Sequence, residues 1–352
     1  KDVINRSNIL HNNKYVHYKF GWDTHGLPIE QKVLENDKKS RKKNSTLAPI
    51  ETDSLRLREK CRELALDQLE VQRASFKKLA IMTDYDNYYT TLDKKYELNE
   101  LSLWNEMIQK NSIYVKNKPV RWSVEYRTAL ADAEIEFNPE HKSHAAYVKF
   151  PIVNEDSLYA IIWTTTPWTL LANQAIGINT KLTYCKIGSD SSNEKYIVEK
   201  ELFLKNAIPN TKDFKILEEY NDDKAMQLLG LYYQNPFVKN ATPLKLISHP
   251  QATNTSGTGL VHIAPAHGEV DYEISIENNI VPLTPVTEKG TYDYNPETNP
   301  DEWNYAIDFS TKNPKVLSPA TTSKIFQFMK DKNMLLHDHI YTHSYPYDWR
   351  SK

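Results

Sequence analysis

Apolar side chains recur at helical spacing through the first third of the chain. Leu57, Leu64, Leu69, Phe76 and Leu79 follow a Thr52-Asp53 capping pair and predict a helix ending near residue 79. Leu98, Leu101, Trp104 and Ile108 mark one face of a second helix over 96–110, and both faces are expected to pack into a core. Val3 and Ile4, framed by Lys and Arg, read as the middle of an opening helix. Residues 15–20 alternate as a strand does and lead through Gly21 into a polar cluster and a helix started by Pro28. Near residue 140 the pattern changes to short strands separated by turn residues, at 145–150, 158–163, 182–187, 195–198, 243–247 and 260–263, with a helix near 322–332. Helices and strands mix in the first region and strands dominate the second. The stretch from about 343 to 350 reads as a ribbon returning to the first region.

Bulk composition narrows the classes of function. A chain of 352 residues is long enough for two domains. With 44 Lys and Arg against 46 Asp and Glu, no global basic signal points to nucleic acid, so any such contact must come from a local patch. One candidate is Lys38-Lys39-Ser40-Arg41-Lys42-Lys43, read as lying in a polar loop and either simply solvated or touching an RNA backbone. Two cysteines, Cys61 and Cys185, argue against a disulfide framework or a Cys-based zinc site and suit a reducing compartment. No apolar run is long enough to cross a bilayer, and no membrane partner is expected. Residues 1–8 do not read as a signal peptide, and a targeting segment would lie upstream of Lys1.

Two stretches carry candidate chemistry. Residues 257–272, Gly-Thr-Gly-Leu-Val-His-Ile-Ala-Pro-Ala-His-Gly-Glu-Val-Asp-Tyr, read as a short buried strand, a bend at Pro265, a polar tip and a helix from Val270. His262, His267 and Asp271 there are open to a purely structural reading, to a metal-ligand reading, or to a place at the rim of a pocket. Residues 163–170, Trp-Thr-Thr-Thr-Pro-Trp-Thr-Leu, followed by Asn173, set the hydroxyls of Thr164, Thr165 and Thr166 at a strand end that Pro167 terminates. No Ser or Cys stands in a nucleophile elbow, so the set suits holding an ester and a water rather than forming a covalent triad. Asp23 and His25 fall just past the carboxyl end of a strand, where open α/β sheets bind ligands; a capping Asp at a β-to-α turn is the alternative.

Gly21-Trp22-Asp23-Thr24-His25-Gly26-Leu27-Pro28-Ile29-Glu30 resembles the signature of class I isoleucyl-tRNA synthetases. Residues 163–173 and 257–272 resemble the two motifs of their editing domain. With Lys118-Pro119-Val120-Arg121-Trp122-Ser123, Thr128-Ala129-Leu130-Ala131 and residues 343–350, the resemblance runs in order along nearly the whole chain. Valyl and leucyl relatives share the plan but lack the full His-Gly-Leu-Pro-Ile-Glu, and the style is nearer the bacterial and organellar branch. The resemblance implies an α/β chain: part of a Rossmann-type catalytic domain over 1–138, an inserted, mainly β editing domain over 139–340, and a return ribbon over 341–352.

Roles follow from the resemblance, position by position. Asp23 would hold the α-ammonium of isoleucine in a synthetic site that includes Trp22 and His25. Thr164, Thr165, Thr166 and Asn173 would line the editing pocket, His262 would select the side chain of misattached valine, and Asp271 would anchor its ammonium. A second site is needed because one methylene is worth only about 1–3 kcal/mol, a magnitude for which isoleucyl-tRNA synthetases are the standard example. The complete enzyme would use ATP, isoleucine and isoleucine tRNA. Its His-x-Gly-His and Lys-Met-Ser-Lys-Ser motifs are expected before Lys1 and after Lys352, so synthesis is not expected from this chain alone. Hydrolysis of valyl-tRNA is expected, with the terminal ribose hydroxyl assisting. A non-catalytic tRNA-binding fragment and a metal-dependent hydrolase are the alternatives. Ser123, Tyr126 and Asp348 stand where some relatives carry cysteines, so no zinc is expected. A monomer is expected, in the mitochondrial matrix or the cytoplasm.

Overall fold

The computed structural model describes residues 1–43, 49–221, 223–239, 242–293, 306, 307, 309 and 314–352. They form two compact units, Lys1–Lys116 and Asn117–Lys352.

The first unit contains α1 (Asp2–Leu10), β1 (Gly21–Trp22), α2 (Leu27–Lys43), α3 (Ser54–Lys78), β2 (Tyr89–Thr90) and α4 (Lys94–Gln109). β1 and β2 pair in parallel, Gly21 opposite Tyr89 and Trp22 opposite Thr90, so α2 and α3 lie on the crossover between them. Aromatic burial holds the pair: Phe20, Trp22 and Leu69 pack with Tyr18, Ile81, Tyr85 and Tyr88, and Phe20 meets Tyr18, Trp22, Phe76 and Tyr85 edge to face. α3 starts where expected, because the Asp53 carboxylate accepts from Arg56 N at 3.1 Å.

Three expectations for this unit need correction. The strand over 15–20 is not formed; ladder pairing is confined to Gly21–Trp22, and among the described residues no strand lies alongside the earlier segment. The basic run is not a loop but the last turns of α2, where Lys and Arg are good helix formers and Arg41 pairs with Asp37 one turn back at 2.7 Å. The apolar face of α4 is not core: Leu98 and Leu101 are 66% and 65% exposed and Trp104 is 54% exposed. Periodicity marks a face that prefers burial but supplies no partner for it, and no described element covers this one.

The second unit contains β3 (Trp122–Ser123), β4 (Thr128–Ala129), β5 (Ile135–Pro151), β6 (Leu158–Thr164), β7 (Ala175–Ile178), β8 (Tyr184–Ser189), β9 (Ser192–Glu199), α5 (Lys200–Leu204), β10 (Lys215–Tyr220), α6 (Asp223–Leu228), β11 (Tyr232–Tyr233), β12 (Leu244–Ser248), β13 (Leu260–Ile263), α7 (Glu269–Glu277), α8 (Pro319–Asp331) and β14 (Leu335–Asp348). Six strands form one sheet in the order β10-β8-β9-β6-β5-β14, and four form another, β11-β12-β7-β13. The long β5–β14 pair runs antiparallel from Leu335 opposite Val148 to Asp348 opposite Ile135, so residues 138/139 lie within one continuous strand and residue 341 within its partner. β5 passes from the large sheet toward the small one: Ile152 bridges Tyr233, and Gln234 N donates to Pro151 O at 2.9 Å. One buried core fills the space between, including Val148, Phe150, Ile162, Leu170, Ile176, Tyr233 and Phe237. β7 was not anticipated because all four of its residues are buried, a run without alternation that pairs on both sides.

The uncovered α4 face makes a solubility prediction. Residues 1–138 expressed alone are expected to aggregate in light scattering, and polar substitution of Leu98, Leu101 and Trp104 is expected to reduce it. A soluble, cooperatively melting monomer of the unsubstituted segment would contradict this.

Candidate functional site

The site is built where β6 ends, β7 begins and β13 lies beside it. β6 stops at Thr164, Pro167 opens a 3-10 turn (Pro167–Ala172), and Asn173 closes that turn. β13 pairs antiparallel with β7 and sets His262 opposite Ile176. The imidazole is thereby buried against the turn, with Nε2 3.0 Å from Thr169 Oγ1 and Nδ1 2.8 Å from Asn173 Nδ2.

The partners fix the ring's tautomer. Tyr233, fully buried, donates from Oη to Asn173 Oδ1 at 2.5 Å, so the amide nitrogen of Asn173 faces the imidazole and also donates to Ala175 O at 2.9 Å. Nδ1 of His262 is therefore an acceptor, and Nε2–H donates to Thr169, whose own hydroxyl proton goes to Thr166 O at 2.9 Å. Asn235 completes the shell by donating to Asn173 O at 3.1 Å. Burial, with His267 adding to the effect, pushes the His262 imidazole down to about 3, so the ring is neutral.

The threonines form a short polar chain beside it. Thr166 N donates to Thr164 Oγ1 at 3.1 Å, and Thr166 Oγ1 lies 3.4 Å from the hydroxyls of both Thr164 and Thr169. Thr165 is half-buried and lies outside this chain.

After β13 the backbone turns through Ala264 into α7, whose first turn carries Asp271. Asp271 Oδ2 accepts from Ala264 N at 2.8 Å. Among the described residues it has no ion-pair partner, and burial pushes its carboxyl up although the Ala264 bond opposes this. Gly268 brings the backbone close to the carboxylate: a Cβ there would lie 3.1 Å from Asp271 Cγ, which would have to give by a few tenths of an ångström. At the strand's other end Gly259 has φ +77°, and a Cβ would fall 2.2 Å from that of Glu199. His267 sits edge-on to Trp168 with ring centroids 5.0 Å apart, and burial pushes it down to about 4. Among the described residues no group of three His, Cys, Asp or Glu is placed so that it could hold an ion.

Residues singled out in the first unit lie at the carboxyl end of β1. Asp23 is exposed and accepts from His25 N at 3.2 Å. His25 Nε2 is 3.0 Å from Thr91 O, while Trp22 is buried against Phe20 and Tyr88. At the end of β14, Asp348 Oδ2 accepts from Ser123 Oγ of β3 at 2.6 Å, and Asp348 also accepts from Arg350 N and Ser351 Oγ.

Sequence reasoning missed Thr169, Tyr233 and Asn235. Thr169 follows Thr166 by the three residues of a hydroxyl-to-carbonyl turn, a signal that was available. Tyr233 carried none, since its place depends on β11 meeting the end of β5.

The model of the family "tRNA synthetases class I (I, L, M and V)" matches residues 1–334, and the chain belongs to that family. More particularly, it is 40% identical over its full length to the mitochondrial isoleucine–tRNA ligase of Saccharomyces cerevisiae, covering 35% of that protein. It is 36% identical, again over its full length, to the isoleucine–tRNA ligases of Prochlorococcus marinus and Enterococcus faecalis, covering 36% and 35% of them. The chain thus spans about a third of the curated relatives it matches. Among solved structures, the editing domain of the P. falciparum cytosolic leucyl-tRNA synthetase aligns with TM-score 0.39 and 12% identity, covering 57% of this chain and 100% of that one. No helix among the described residues is long and apolar enough to cross a membrane.

Two predictions follow from the network. Tyr233→Phe strands the Asn173 carbonyl and is expected to cost about 1–3 kcal/mol in denaturant unfolding; no change would contradict the network. The two depressed histidines also make stability fall on acidification. An unfolded imidazole binds its proton near 6.5, whereas the folded ones resist to about 3 and 4. Below about pH 6.5 the unfolded state therefore holds more protons, which costs at most about 1.4 kcal/mol per pH unit for each ring. Asp271, raised in the fold, acts in the opposite sense, above the ordinary carboxylate range. Melting temperatures are expected to drop from pH 7 toward pH 4, and less so in a His262→Gln/His267→Phe double variant.

Proposed function

We propose that the complete protein is an isoleucine–tRNA ligase and that this chain carries its editing site, which hydrolyses valine misattached to isoleucine tRNA. The observation that carries the reading is the carboxylate of Asp271: partly buried, held by one backbone N–H, and without a cation among the described residues. A carboxylate so placed favours an incoming ammonium, and an aminoacyl ester supplies one. Beside it lie hydroxyls, an amide and two neutral imidazoles but no activated nucleophile, which suits direct attack by water on the ester. His262, locked by its partners, would meet the valine side chain as a rigid wall. Thr164, Thr165, Thr166 and Asn173 would line the remainder, and the ribose hydroxyl would assist.

In the complete protein, Asp23, at the carboxyl end of β1, would hold the ammonium of isoleucine, with His25 beside it and Trp22 supporting the turn. ATP would bind through motifs outside these residues. The proposed division is a partial catalytic domain over 1–138, the editing domain over 139–340 and the return ribbon over 341–352. The yeast relative favours the mitochondrial matrix over the cytoplasm as the compartment, and we expect a monomer. The exposed Lys38, Lys39 and Lys42 on α2 favour a second reading, a fragment that binds tRNA without hydrolysis.

The test is deacylation of valyl-tRNA and isoleucyl-tRNA by this chain and by Asp271→Ala. Selective loss of valine is expected, with kcat/KM falling about 30-fold or more in the variant, equivalent to about 2 kcal/mol. Tight tRNA binding with no deacylation would favour the second reading.

A further inference from the structure

Asp271 sits in the first turn of α7, and that turn is tied to chain far from it in sequence. Glu269 Oε1 accepts from Lys118 Nζ at 2.6 Å, and Tyr272 Oη donates to Asn117 O at 2.7 Å. Two consecutive residues thus hold positions just before and just after the carboxylate. Asn117 and Lys118 open the second compact unit and precede the stretch proposed as the editing domain, 139–340.

The helix needs such ties. α7 has nine residues, and Gly268 at its start offers no side chain to cap it. A helix of that length is marginal alone, so its place is set by what surrounds it. Val270 and Ile274 pack in a small apolar cluster with Ala175, Ile247 and Ile263. Apolar packing is non-directional, whereas a hydrogen bond fixes direction. The two ties differ in weight. The Lys118 and Glu269 side chains are 49% and 65% exposed, so water and salt screen their attraction. Tyr272 is buried and reaches a backbone carbonyl.

The same segment is gripped further on. Trp122 Nε1 donates to Glu288 O at 2.9 Å. Gly290, at φ +65°, lies so close to Val124 that a Cβ there would fall 2.9 Å from Val124 Cγ2. Val286 and Tyr292 bridge around this turn, and Tyr292 Oη donates to Trp168 O at 2.6 Å. Residues 117–124 therefore touch α7 directly and reach the 3-10 turn of the site through residues 286–292.

We propose that Tyr272 is a positioning residue for the ammonium anchor: its bond to Asn117 O, seconded by the Lys118–Glu269 pair, sets how Asp271 meets the amino group. The role rests on the editing reading above, and it extends the working parts of the site to residues 117 and 118.

The test is calorimetry on the full chain with a non-cleavable amide analogue of 3′-valyl adenosine and its des-amino counterpart. The ratio of the two affinities reads the ammonium contact alone. In Tyr272→Phe the ratio is expected to fall about fivefold, the scale of one hydrogen bond, while des-amino binding stays within about twofold. Lys118→Met is expected to lower the ratio about twofold, and less at high salt. Tyr220→Phe, which removes a hydroxyl bonded to Glu218 in β10, is expected to leave it unchanged. An unchanged ratio in Tyr272→Phe, or an equal loss for both compounds, would overturn the proposal and leave the reading of Asp271 intact. If Tyr272→Phe does not fold, an unchanged ratio in Lys118→Met overturns it. A wild-type chain with equal affinity for both compounds would overturn the editing reading and this role with it.

Discussion

The buried imidazole of His262 joins four pieces of chain that are far apart in sequence. Through Thr169 and Asn173 it connects β13 to the turn after β6, and through Tyr233 it connects that turn to β11 and the end of β5. Water is excluded there, so each donor needs an acceptor, and the network admits one arrangement of protons. Losing any member leaves the others unsatisfied in a low-dielectric core. That constraint orients Asn173 and the threonine hydroxyls, and it keeps the ring neutral and immobile.

Under the proposed editing role, rigidity of this kind would serve discrimination between side chains that differ by a single methylene. A wall that cannot move excludes the larger group sterically, where attraction alone separates the two by little. Polar groups in the pocket fall into two kinds accordingly. Asn173, Thr169, Tyr233 and His262 are satisfied within the protein and define shape. Asp271, held by Ala264 N, has no ion-pair partner among the described residues.

Much of this was legible in the sequence, for identifiable reasons. The Gly-Thr-Gly turn, Pro265 and the helix after it lie within sixteen residues, where local steric rules suffice, and they were read in the right order. The threonine run and Asn173 were read as site candidates from donor chemistry and resemblance. Tyr233 was not, because it reaches Asn173 from 60 residues away through sheet pairing that no local pattern encodes. β7 escaped because complete burial removes alternation. The α4 face was misjudged for the converse reason: Leu98, Leu101 and Trp104 state a preference for burial, and the described residues hold nothing to meet it. The basic run on α2 shows that composition alone does not separate a solvated helix end from a loop.

The central claim is that the pocket recognises an ammonium through Asp271 and rejects bulk through the wall built on His262. Calorimetric binding of a non-cleavable amide analogue of 3′-valyl adenosine, compared with its des-amino counterpart and with the isoleucyl analogue, tests it most directly. The account predicts measurable binding of the valyl analogue, at least about 30-fold weaker binding without the ammonium, and no detectable binding of the isoleucyl form. Equal affinity for the three compounds would contradict it.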